Sequence, residues 1–101
     1  MKTIKGDLIL KENTTFNESI MIKGNIKGNY NLKVEGDIDC RDITCRDITC
    51  RDIDCRDIDC LDITCRDIDC RDIDCGNIDC LVIDFRHINC RNLNCGVENK
   101  K

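Results

Sequence analysis

Between Ile38 and Cys95 the chain repeats one five-residue phrase, Ile-x-Cys-x-x, twelve times. Ile holds every fifth position from Ile38 to Ile88, and Leu93 takes the twelfth. Cys follows two residues later in every unit except one, where Phe85 stands. A period of five matches neither the 3.6 of a helix nor the 2 of a flat strand. Apolar residues two apart, then three apart, describe a chain that points two side chains inward and turns a corner. Ile and Cys are that inward pair, and the Arg, Asp, Asn and Thr between them face water. One such unit cannot bury its apolar face alone. Straight runs joined by corners make a coil, and stacked coils make a solenoid with a shared core.

These tandem fives resemble the pentapeptide-repeat family, whose usual unit is Ala-(Asp/Asn)-Leu-x-x. The resemblance covers roughly residues 37–95. It implies an all-β fold, a right-handed quadrilateral β-helix with four pentapeptides to a coil. Here the large residue comes first and the small one second, so Cys takes the central inward site, which Phe commonly fills in the family and Phe85 fills here. Four repeats to a coil would stack residues twenty apart. Three coils would result, about 14 Å of solenoid at the usual strand spacing. Arg46, Arg66 and Arg86 would then share one column, and Leu61 and Leu81 another, with Val82 beside them.

Residues 1–36 hold no pentapeptides. Leu8-Ile9-Leu10 reads as a short strand, Asn13-Thr14-Thr15 as a turn, and Gly24-Asn25 and Gly28-Asn29 as further turns. From Tyr30 to Cys40 apolar residues alternate and run into the repeat. The domain reading is therefore a non-repeat β cap at 1–36, a solenoid at 37–95 and a short tail at 96–101. Such a cap would cover the apolar disc and unpaired strand edges of a first coil. Charge follows the same division. All six Lys before residue 36 lie outside the repeat, and all eight Arg lie inside it among fifteen Asp. The net charge of the chain is −4.

Several function classes fall away. The Asp residues are periodic surface groups, His87 is the one histidine, and no nucleophile–base pairing stands out from the repeat, so the chain reads as no enzyme. One Tyr and an acidic solenoid argue against direct nucleic-acid binding. No apolar run reaches the length of a membrane span, and no signal-peptide profile opens the chain. With an odd count of eleven Cys at a structural period, reduced thiols in a cytoplasmic protein are expected. Zinc needs four ligands converging on a point, whereas Cys five apart lie on different faces. Stacked Cys lie parallel, poorly directed for a disulfide torsion. The thiols thus read as core filler, with no metal and no cofactor.

The remaining reading is a non-enzymatic structural or protein-interaction solenoid. Its candidate interface is the last coil, with Phe85, Ile88 and Leu93 beneath an unfilled edge, which would join two copies end to end as a homodimer. Leu61, Leu81 and Val82 form a rival apolar strip on a side wall. The resemblance also implies an alternative, since some members of the family mimic duplex DNA and bind a type II topoisomerase such as gyrase.

Overall fold

A computed structural model describes all residues, Met1–Lys101. It contains no helix, only fourteen strands joined by bends. Every strand pairing is parallel, and the strands form a single wrapped sheet, so the chain is a β-solenoid of about seven turns.

The register settles the cross-section of the coil. Within the five-residue repeats, Ile53 pairs with Ile38 and Ile68, Ile58 with Ile43 and Ile73, and Ile63 with Ile48 and Ile78. Each partner lies fifteen residues away, not twenty. A coil therefore holds three pentapeptides and has three faces, which corrects the four-sided, three-coil expectation. The correction has a simple consequence for length. Seven layers on the first face at about 4.8 Å each account for a long axis of 30 Å, twice the expected 14 Å.

The first face stacks Ile20, Ile38, Ile53, Ile68 and Ile83. The second stacks Ile26, Ile43, Ile58, Ile73 and Ile88, and the third Leu32, Ile48, Ile63, Ile78 and Leu93. Nearly all of these are buried to within a few per cent, and the coils share one continuous core. The second inward position carries Cys for a reason visible in the corners. Cys50, Cys55, Cys60 and Cys65 each direct a thiol toward the backbone carbonyl two residues on, at 3.8–3.9 Å, and Cys75 does so at 3.2 Å. A small side chain fits where the chain turns, and its weak S–H donor faces a backbone carbonyl of the next strand.

Residues 2–37, expected as a non-repeat cap, form two coils of the same solenoid. Their unit is six residues long. Ile20 pairs with Lys2, Ile26 with Leu8 and Leu32 with Thr14, each eighteen residues apart. The stretch Thr14-Thr15, read as a turn, lies in the strand Thr14–Phe16. The extra residue sits in the corner and is Asp7, Asn13, Ser19, Asn25, Asn31 or Asp37. In the pentapeptide coils a corner N–H bonds to a carbonyl of the coil above, as Arg56 does to Arg41 at 2.7 Å. In the hexapeptide coils the added N–H needs another acceptor, and a polar side chain supplies it. The amides of Asn25, Asn31 and Asp37 donate to Asp7 Oδ1, Asn13 Oδ1 and Ser19 Oγ at 2.8–3.0 Å.

The two coil types meet over a single turn. Ile38 lies eighteen residues after Ile20, Ile43 seventeen after Ile26, and Ile48 sixteen after Leu32. One residue is dropped at each corner. Asn25 Oδ1 and Asn31 Oδ1, which would receive the next N–H of the side-chain ladder, are buried there without a partner. Gly28 takes an inward position just above this junction at a φ of +140°. A Cβ there would come within 2.5 Å of the Leu10 carbonyl oxygen, so the close approach of the two coils requires glycine.

Candidate functional site

Three surfaces carry chemistry, and each is a ladder produced by the register. The first is the outer side of the first face. The residue between the two inward positions there is Asp39, Asp54, Asp69 and Asp84, one per coil. A second ladder, Asp52 and Asp67, runs two residues away on the same face, and Asp37 extends it upward. The two ladders flank an open trough of about 410 Å³. Like charges one strand spacing apart repel. Partial burial, and then the neighbouring Asp39 and Asp69, push the Asp54 carboxyl above its ordinary value. The Lys101 ammonium lies against Asp69, whose carboxylate holds the lysine proton more tightly than usual. The Asn99 amide donates to Asp84 at 2.8 Å.

The second surface is the corner that follows this face. Arg41, Arg56, Arg71 and Arg86 stack there, linked by backbone hydrogen bonds from each N–H to the carbonyl above. The adjoining column is Asp42, Asp57, Asp72 and His87. The basic ladder therefore runs between acidic ladders, with Arg56 Nε 3.7 Å from Asp42. Solvent screens each of these ion pairs. The Arg columns expected at intervals of twenty give way to this one and to a shorter stack of Arg51 and Arg66 on another corner. Leu61 and Leu81, expected in a shared column, lie on different corners. Leu61 stacks between Arg46 and Gly76, and Leu81 between Arg66 and Gly96.

The third surface is the outermost strand, His87–Lys100. It pairs with Asp72–Phe85 on one side and with nothing in this chain on the other. The six candidate interface residues are distributed around it unevenly. Ile88 and Leu93 are half-buried on the inner side of this strand. Phe85 is a core residue, only 8% exposed, packed between the stacked coils. Leu81 is exposed and Val82 half-buried, at the corner above Gly96 and Val97. Leu61 is exposed on another corner. The sequence reading missed Val97, which is 50% exposed, because four repeats to a coil would have placed no residue under Val82 from this segment.

Inside the coils the cysteines form three columns: Cys40, Cys55 and Cys70; Cys45, Cys60, Cys75 and Cys90; and Cys50, Cys65, Cys80 and Cys95. All eleven are free thiols. Burial pushes Cys45 and Cys70 up to about 12. Hydrogen bonding to a neighbouring thiol, together with burial, pushes Cys55 and Cys60 further upward. Such thiols stay protonated and are poor nucleophiles.

No family model, curated protein or solved structure matches this chain. No helix of the chain is long and apolar enough to cross a membrane.

Proposed function

We propose that the chain is a non-enzymatic, cytoplasmic interaction solenoid that forms a homodimer through its last coil, an atypical relative of the pentapeptide-repeat proteins with three repeats to a turn. A right-handed sense of winding belongs to the same reading, because parallel crossovers are right-handed in almost all cases. The observation that carries it is the fourteen-residue strand His87–Lys100, whose outer edge has no partner. A long open edge presents a row of unpaired N–H and C=O groups. The half-buried Ile88 and Leu93, the half-exposed Val97 and the exposed Leu81 provide apolar surface around it. Two such edges brought together by a two-fold axis pair antiparallel and cover each other, a closed arrangement.

Sedimentation or light scattering should give twice the 11.6 kDa chain mass. A double Leu93→Lys, Val97→Lys change should shift the population to monomer, while Leu61→Asp, on a remote corner, should leave the dimer intact. A monomer at high concentration, or a dimer lost only on changing Leu61, contradicts the reading.

The acidic trough supports one second reading, a duplex mimic that binds a type II topoisomerase such as gyrase. Two parallel carboxylate ladders could present regular negative charge to a basic groove. A supercoiling assay with purified gyrase tests this directly. Inhibition or protection that disappears in the Asp54→Asn, Asp69→Asn double variant supports it, and an unchanged reaction removes it.

A further inference from the structure

One pair of thiols stands apart from the other stacked cysteines. The Sγ atoms of Cys80 and Cys95 lie 2.9 Å apart. The corresponding separation for Cys60 and Cys75 is 3.8 Å. Stacking alone was expected to hold the thiols parallel, yet these two sulfurs converge. Their backbones are register partners on adjacent strands. That places their Cα atoms about one strand spacing apart, within the roughly 4.4–6.8 Å that a disulfide spans.

The environments of the two sulfurs differ in a useful way. Cys80 is buried, 5% exposed, between two coils. Cys95 is partly exposed because it lies on the outermost strand, where its thiol donates to the Val97 carbonyl at 3.2 Å. Before a second copy covers this edge, the exposed thiol is the one that a reagent in solution reaches. The buried one lies 2.9 Å from it, close enough to displace whatever Cys95 has captured.

We infer that Cys80 and Cys95 form an oxidisable dithiol, a modification site whose reagent is a low-molecular-weight disulfide of the glutathione type. Cys95, once deprotonated to solvent, attacks one sulfur of the reagent. The reagent's S–S bond breaks, and a mixed disulfide forms on Cys95 as the first small thiolate leaves and takes a proton. Cys80, whose proton burial holds more tightly than usual, passes that proton to the departing small thiolate as its sulfur, 2.9 Å away, attacks Cys95 Sγ. The Cys80–Cys95 bond forms as the second small thiol leaves. The protein loses two electrons and two protons, and the reagent gains them as two thiols. The product is neutral, so no charge is left in the apolar core. It ties the last coil covalently to the one above it.

The test uses the fully reduced 101-residue chain treated with oxidised glutathione under native conditions, then alkylated and digested with trypsin. Two of the eleven thiols should be lost, and peptide 72–86 should be linked to peptide 92–100. Cys75 shares the first peptide, so the same link must persist in a Cys75→Ser variant. In Cys80→Ser the reaction should stop halfway, with glutathione held on Cys95. In Cys95→Ser no intramolecular link should form. A link that vanishes with Cys75→Ser overturns the inference. So does a Cys95–Cys95 bond between two chains, or a Cys80→Ser protein that leaves Cys95 unmodified. Should Cys80→Ser fail to fold by circular dichroism, the Cys75→Ser digest alone decides the assignment.

Discussion

Ser19 and Asp7 lie outside the core cluster, yet the hydroxyl of one and the carboxylate of the other each hold an N–H of the coil below. Removing one acceptor leaves that corner N–H without its partner. Ser19→Ala should therefore cost about 1 kcal/mol in chemical denaturation, against a negligible loss for Asn17→Ala at a neighbouring exposed position. Asp7 adds a dependence on pH. The Asn25 amide, and then Lys27, hold its carboxyl below the ordinary value of 3.8 despite some opposing desolvation. Because the folded state favours the ionised form, the contribution is present above that value and is lost as pH falls through the lower folded value. The stability gap between the wild type and Asp7→Asn should narrow as pH drops below 3.8. A gap that widens in acid would contradict the assigned hydrogen bond. Of the residues that fill these corners only Asn13 and Asn25 were legible in the sequence as turn formers. The six-residue spacing of the whole set, which identifies it as a ladder, was also present in the sequence. It went unread because the inward partner varies through Ile, Leu, Phe, Gly and Val, and hides the period.

At the scale of the element, the corners decide how many units make a turn. The inward positions of the repeat were legible residue by residue: Ile38 through Ile83 are buried as expected, and Asp, Thr and Arg between them face outward. The register was not. A five-residue period fixes which side chain points inward but says nothing about whether three or four corners close a coil. Stacking distance is the same in both cases. The Leu–Gly pairs mark the corners where successive coils approach closely. Gly76 lies under Leu61, and Gly96 under Leu81, in corners where long strands run through the bend. A Cβ at Gly76 would come within 2.7 Å of the Leu61 carbonyl oxygen. Gly76→Ala should push these coils apart and cost about 1–3 kcal/mol, as overpacking does elsewhere. A midpoint unchanged from wild type would show that the corner has slack.

For the whole molecule, the change from six to five residues per unit narrows the solenoid from eighteen to fifteen residues per turn while the sheet stays continuous. The candidate interface divided along the same line. Ile88 and Leu93 were legible from their place in the last repeat, whereas Val97 and the separation of Leu61 from Leu81 followed from the register and so were hidden with it. Three pentapeptides to a coil is thus the claim on which the ladders, the thiol pairing and the open edge all depend. Parallel strands bring backbone protons of register partners close enough for nuclear Overhauser effects, so an isotope-edited spectrum of the reduced protein measures the claim directly. The expected result is cross-peaks between residues fifteen apart through the five-residue repeats, such as Asp59 with Asp74, and eighteen apart in the first two coils, such as Thr3 with Met21. Cross-peaks between Asp59 and Asp79, twenty apart, would contradict it.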